Sequence, residues 1–459
     1  MTTDTPAAAA TLSSSPPTYT FNDLEIGFTS AFQFHANTSG CSAQQVGFWR
    51  PVPAAGFYSL GDFISPGYGD ANQTMFAATV KATQTGATGT GARPPLAAPT
   101  GYHATGFLQM NAPTEPAPGA SSVAGSWPGV PAGTDLGSGI SFTFWQPIPP
   151  DDYVSLGVVI GDAAFGDNEI SASLIPPPTD LVMCVRSDLV APAPINPQDY
   201  FSGGIVGSPI NAWKTLPPQS QPGLLYFNPG TFFINRYDIG VPVTPPPSDP
   251  TAYSLILNIA EQSQQQQQRT PSAPVLAGAW RPAAPTESVS YRVTLPWFAV
   301  TDPTMSGFEQ STKSPNYHLD RIDTYTCVGF GSNLTAVPQQ QSVQWTTGTS
   351  GEQSKTFSET TSIEIDLGAS DDFFTAKLTQ SFTYTTTTTS GWSQSQSVSE
   401  QTTIPPNAAV AVFVIDSTYN LLRSDGSLVT GGVPYTADNS TMCWAQYPPV
   451  APAGSRPPG

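Results

Sequence analysis

Three histidines, His35, His103 and His318, are the only imidazoles in this chain of 459 residues, and they pose the first question about chemistry. A zinc hydrolase needs two of them at His-Glu-x-x-His spacing, and a hydrolytic triad needs one beside a nucleophile and a carboxylate. Here each stands far from the others and without a partner at ligand or triad spacing. Cys41, Cys184, Cys327 and Cys443 are equally scattered. With no CxxC pair to hold a metal, they read as free thiols. No GxSxG, P-loop or post-strand GxGxxG occurs. The acidic turns at Asp70 and at Asp162, Asp167 and Glu169 lack the spacing of a calcium loop and read as solvated turns. Paired carboxylates of the glycosidase kind meet only in three dimensions. The expectation is a non-enzyme with no cofactor and no metal site.

What remains is binding, and charge narrows the partner. The formal net charge is −18, from 15 Lys and Arg against 33 Asp and Glu. Nucleic acid is disfavoured, because phosphates need cations to replace their counterions. Unaided attraction to anionic lipid is disfavoured for the same reason. Solubility is the plain consequence of such a charge. The N-terminal run MTTDTPAAAATLSSSPP has no basic segment and no apolar core, and reads as a flexible tail over 1–20 rather than a signal peptide. The most apolar stretch, residues 408–415, is far too short for a transmembrane helix. A soluble protein is expected, cytoplasmic as made or released by a non-classical route.

The elements that must position any binding surface are strands. Only 10% of residues are charged, while 49 prolines and 40 glycines break up any long helical run. A mainly β fold follows. One sentence is written twice: FWRPVPAAGFYSLGD over 48–62 and FWQPIPPDDYVSLGV over 144–158. Phe, Trp, two prolines, an aromatic, Ser, Leu and Gly recur in register, which marks one structural unit built more than once. A weaker passage, NAWKTLPPQSQPGLLYFNPGTFF, has the tryptophan and double proline without the spacing. These units predict a β-prism or β-sandwich lobe over 21–240. Its ligand- or receptor-binding candidates are Trp49, Arg50, Phe57, Tyr58, Trp145 and Tyr153. A proline-rich linker over 241–250 leads to a second lobe over 251–450, with a tail over 451–459.

The WRP-x-P motif, the GFYSLGD run and the CVRSDL strand over 184–189 resemble the vacuolar protein sorting-associated protein 62 family. The likeness covers about half the chain. It implies a recognition lobe for peptide, glycan or receptor. Gln146, Asp152 and Val158 depart from the pattern of the first copy, which puts a second binding site in question.

The second lobe carries the run SIEIDLGASDDFFTAKLTQSFTYTTTTTSGW. Its alternation predicts one hairpin over 357–384. Ile363, Ile365 and Leu367 take one face of the first strand. Phe374, Ala376, Leu378, Phe382 and Tyr384 take the same face of the second. Pairing Leu367 with Phe374 puts Ile365 opposite Ala376, Ile363 opposite Leu378 and Phe357 opposite Tyr384. It also brings Glu364 opposite Lys377 on the wet face.

This Ser/Thr-rich amphipathic segment resembles the stem of aerolysin-type pore-forming toxins, which implies an elongated antiparallel β domain. It also implies homo-oligomerisation and insertion into a target membrane found through a receptor. Any surface hairpin with one wet face alternates in the same way. Two functions are therefore expected: a soluble pore-forming toxin-like protein, or a non-lytic adaptor that binds peptide or glycan.

Overall fold

The computed structural model describes residues 17–37, 45–83, 93–110, 140–161, 164–165, 176–194, 201–203, 210–215, 218, 224–236, 252–258, 274–282, 288–347, 363–366, 375–378, 380–381, 384–385, 396–436 and 442–449. The protein is mainly β, built of antiparallel sheets. The longest described helix is the short Gly307–Lys313, opened by a Ser306–Glu309 capping box. The chain divides into two compact units, the main boundary falling after Asn258, with Gln221–Leu224 grouped with the second unit and Ser381–Tyr384 with the first.

The first unit is a β-prism of three repeats, one more than the two clear sequence copies. The first and third repeats each supply a three-stranded antiparallel sheet, and the second a four-stranded one that also includes Ala164–Phe165. In the first, Val46–Pro51 lies between Phe32–Asn37 and Phe63–Pro66. In the second, Ile140–Ile148 lies between Gly101–Met110 and Val159–Ile160. In the third, Ile210–Lys214 lies between Phe201–Gly203 and Phe232–Arg236. Each repeat closes with a strand paired to a shorter one: Ala77–Ala82 with Tyr58–Ser59, Cys184–Arg186 with Tyr153–Val154, and Tyr253–Asn258 with Leu224–Phe227.

Register proves the equivalence. Trp49 pairs with Phe63, Trp145 with Val159 and Trp213 with Phe233. Even the irregularity repeats. A bulge at His35 separates the partners of Phe48 and Trp49, and one at Thr105 separates those of Phe144 and Trp145.

The three sheets meet on aromatic rings. Phe48, Phe144 and Phe232 form a triangle with centroids 5.7, 6.2 and 6.3 Å apart. The third corner explains why the third copy is faint in sequence. Ala212 precedes Trp213 where Phe48 and Phe144 precede their tryptophans, and the missing ring comes from Phe232 on the partner strand. Beside the triangle the backbones almost touch. A Cβ on Gly61 would lie 3.1 Å from the Gly157 Cα, and one on Gly157 would lie 2.6 Å from the Thr231 Cβ. Hydrogen bonds from Asp62 N to Val158 O and from Val158 N to Phe232 O tie the repeats at this point.

Two boundaries move. Tyr253–Asn258, expected to open the second lobe, pairs with Val190–Pro192 and belongs to the prism. A proline-rich stretch suggests a linker by composition, but the strand after it completes the third repeat. Within the expected tail of 1–20, Tyr19–Phe21 is a strand on Leu24–Ile26. Residues 1–16, 241–250 and 451–459 lie outside the described residues.

The second unit is organised by two long strands, Asn316–Asn333 and Ala408–Arg423, paired along nearly their whole length. At about 3.3 Å per residue each runs roughly 50–60 Å, which makes this sheet elongated. Ser288–Pro296 and Leu428–Thr436 flank it at one end, and Cys443–Tyr447 pairs with Ala409–Phe413 at the other. The apolar run 408–415 is buried on both faces, since both faces are covered. On one, Leu276 packs with Tyr325, Phe413, Ile415 and Ala445. On the other, Val412 and Val414 pack with Val343 and Trp345.

Candidate functional site

The six recognition candidates separate by burial. Trp49 and Trp145 are buried, and Trp49 donates its indole N–H to Ser65 Oγ at 2.8 Å. Tyr153 is buried too, donating to the carbonyl of Pro94 at 2.6 Å. Burial pushes its phenol up, against the opposing pull of Arg186 and Arg93. Arg50 is spoken for. Its guanidinium forks onto Asp62 at 2.9 and 3.0 Å and also donates to the carbonyl of Ile160. These four hold the prism together and present no platform, because a large ring beside locked prolines is burial capital for a core. Phe57 is half-buried over Gly27, with the Lys81 ammonium 5.4 Å from its ring centre. Tyr58, 38% exposed, is the one open aromatic of the set.

The repeats solve the Arg50 position differently. Gln146 donates to Ser155 Oγ at 2.5 Å. In the third repeat stands Lys214, whose ammonium is pushed down to about 8 by burial. The histidines remain scattered. His35 is buried at its bulge, and His103 lies opposite Gln146. His318 Nδ1 lies 3.2 Å from Thr294 Oγ1 and is held below the usual range by burial and by Arg292. Burial raises the thiols of Cys184, to about 12, and of Cys327 and Cys443. Among the described residues no three metal-ligating side chains cluster.

The second unit holds the other candidate. Ile363 pairs with Leu378, Glu364 with Lys377, Ile365 with Ala376 and Asp366 with Thr375. This is the register expected from the alternation. The partner expected for Tyr384 is different: Tyr384–Thr385 pairs with Gln380–Ser381, so the second strand turns back on itself. In a run of nearly identical threonines, little specifies one register over another. Phe357, Leu367, Phe374 and Phe382 lie outside the described residues, and the described hairpin is the pair Ile363–Asp366 and Thr375–Leu378.

The element that sequence reasoning missed lies at the base of this hairpin. Gln339–Thr347 and Gln396–Ile404 pair along nine residues each to form a ribbon. Its inner face carries Val343, Trp345, Thr402 and Ile404, all buried, with Val398, Gln341 and Glu400 half-buried beside them. Its outer face is amides and hydroxyls: Gln340 donates to Thr403 at 2.8 Å, and Ser342 meets Ser399 at 3.5 Å. The alternation in QQSVQWTT was the available signal.

Two glycines let the ribbon sit close on the long sheet. A Cβ on Gly329 would come within 2.5 Å of a Val343 methyl, and one on Gly331 within 2.3 Å of the Ile404 terminal methyl. Among the described residues the ribbon strands pair only with each other. Neither outer edge pairs with another described strand, and such an edge invites a further strand.

Fifteen residues separate Thr347 from Ile363, and seventeen separate Leu378 from Gln396. The two registers thus differ by two residues, an even step.

No helix among the described residues is long and apolar enough to cross a membrane, which says nothing about strands. No family model and no curated protein matches the chain. Solved structures do match. The crystal structure of GNIP1Aa from Chromobacterium piscinae aligns at 16% identity and a TM-score of 0.35, over 54% of this chain and 41% of its own. The chain therefore spans well under half of that structure's length. The crystal structure of Cry35Ab1 aligns at 13% identity and a TM-score of 0.28, over 67% of this chain and 80% of its own. Scores of this size fall short of a shared fold.

Proposed function

We propose that this protein is a non-enzymatic, toxin-like pore former. The prism recognises a target surface, copies assemble there, and the ribbon with its hairpin leaves the long sheet to enter the bilayer. The observation that carries this reading is the ribbon of Gln339–Thr347 with Gln396–Ile404, seated on the long sheet through buried Val343, Trp345 and Ile404 and leading in sequence to the hairpin of Ile363–Asp366 with Thr375–Leu378. The inner face of the ribbon mixes Val343, Trp345, Val398 and Ile404 with Gln341, Glu400 and Thr402, and its outer face is polar and uncharged. Strands of nine to eleven residues cross a bilayer when tilted, with apolar positions outward and polar positions inward. In the stored form the sheet covers the inner side of the ribbon, where Gly329 and Gly331 admit it. The ribbon edges, which pair with no other described strand, suit strand addition from neighbouring copies.

The resemblance of the prism repeats to the vacuolar protein sorting-associated protein 62 family supports a recognition role for this unit. With Trp49, Arg50, Trp145 and Tyr153 committed to the core, Tyr58 and half-buried Phe57 are its remaining aromatic contacts. Saturable peptide or glycan binding without leakage would favour the adaptor reading instead.

A staple tests the proposal. The Gly329 Cβ position lies 3.2 Å from the Val343 Cβ, close to the 3.5–4.5 Å of a disulfide. Gly329→Cys with Val343→Cys, in a Cys327→Ser background, fastens the ribbon to the sheet. Vesicles of crude target-cell lipid should leak dye with the parent and with the reduced staple, and stay sealed with the oxidised one. Equal leakage from the oxidised staple would overturn the ribbon as the inserting element.

A further inference from the structure

We infer that the end of the long sheet formed by the turn 334–338 is a second membrane-contact site, one that seats in the interfacial layer of an uncharged bilayer. Leu334 is 85% exposed and Val337 63% exposed, on the same five-residue turn. Exposure of that degree in two neighbouring aliphatic side chains would pass for loop disorder if the turn were loose. It is held firmly. Asn333, fully buried, donates from Nδ2 to the carbonyls of Val337 at 2.7 Å and Ile404 at 3.1 Å. Its Oδ1 accepts from the N–H and the hydroxyl of Thr335 at 2.9 and 2.6 Å. Asn407 N–H donates to the Thr335 carbonyl at 3.3 Å. The turn is a rigid mount that points two apolar side chains into solvent.

Two more segments end at the same place. Ser332 pairs with Ala409, and Ala409 pairs with Tyr447. Tyr447 is therefore two strands over, about 10 Å away, and is 37% exposed. Pro406, Pro448 and Pro449 are exposed beside these strand ends. No charged residue occurs between Asp323 and Glu352, between Glu400 and Asp416, or between Asp438 and Arg456. In a chain of net charge −18, all three segments that converge on this end are free of charge.

That chemistry selects the occupant. A protein partner needs roughly 800 Å² per side and a complementary surface, and a few protruding side chains offer far less. A bilayer interface accepts a convex apolar tip without a matching pocket. Tyrosine is at home at headgroup level, and an end without charges has no ion to desolvate there. An acidic protein gains nothing from anionic headgroups, so a phosphatidylcholine surface is the match. The site is independent of the proposed pore: it can bind while the ribbon stays on its sheet.

Flotation with phosphatidylcholine vesicles tests this on the full chain. The parent should float with the vesicles. Leu334→Gln with Val337→Gln should reduce the bound fraction about ten-fold or more, from the transfer energies of two aliphatic side chains. Its thermal midpoint should stay unchanged, because both positions are exposed. Leu334→Trp should strengthen binding. The oxidised Gly329–Val343 staple should float as well as the parent while failing to leak, which separates this site from the ribbon. Failure of the parent to float, or equal flotation by the double glutamine variant, would overturn the inference. So would a change of oligomeric state of that variant in lipid-free buffer, which would assign the tip to a second copy.

Discussion

The Arg50 guanidinium lies flat against the Asp62 carboxylate and reaches past it to the carbonyl of Ile160, while Asp62 accepts the N–H of that same Ile160 at 2.7 Å. One ion pair thus clamps the first repeat to the second. Asp62 is essentially buried and Arg50 is 15% exposed. Removing one partner leaves a charge in the core. Asp62→Ala is expected to cost about 3–5 kcal/mol, measured by urea unfolding. The double change Asp62→Leu with Arg50→Met should cost less than Asp62→Ala, since neither charge is then orphaned. An equal or larger loss in the double variant would contradict this account.

Where Gly157 faces Thr231, a side chain has nowhere to go. Gly157→Ala should destabilise the prism by about 1–3 kcal/mol, the usual cost of overpacking. Thr231→Gly in the same molecule should recover part of that loss. A purely additive pair in thermal unfolding would show that the repeats do not crowd at this point.

Hairpin register can be read by cross-linking. Ile365 and Ala376 are direct partners, so cysteines placed there have Cβ atoms about 4.5–5.5 Å apart. Ile365→Cys with Ala376→Cys should close under mild oxidation. Ile365→Cys with Lys377→Cys, on opposite faces, should not. Equal yields on non-reducing gels would sink the register.

At one end of the long sheet Asp302 is buried against Arg423, which donates twice at 2.7 and 3.0 Å, with Thr304 and Tyr317 as further donors. Burial alone would raise its carboxyl, but these donors override burial and hold it at about 2. An unfolded Asp titrates near ~3.9. The folded value is depressed, so the contribution to stability is complete above about pH 4 and is lost as pH falls towards 2. Asp302→Asn should lower stability at pH 7 and flatten the loss between pH 4 and pH 2, followed by near-ultraviolet circular dichroism. Parallel acid titrations of parent and variant would exclude this role.

Much of this could be read before any fold was known. The hairpin register followed from alternation and one Glu–Lys pairing, because period-two patterning leaves a single way to bury an apolar face. Two of three prism repeats were visible because Phe48 and Phe144 serve the same corner from the same strand position. The third was obscured when Phe232 took that corner from a neighbouring strand and Ala212 gave it up. Sequence comparison aligns positions, whereas packing fills space.

The amino-acid order by itself determined strands rather than helices, the repeated unit, and an amphipathic segment free of charge along much of its length. Those are local properties, set by proline, glycine and side-chain alternation. Only the tertiary structure decided which aromatics are core and which are surface. Trp49 and Tyr153 read as binding residues until Phe32, Phe34 and Ser65 closed over the one and Pro94 over the other. Only the fold brought Tyr447 to the end where Leu334 and Val337 stand, far apart in sequence and joined by strand pairing. Burial and convergence are properties of distant segments meeting, and no local pattern encodes which segments meet.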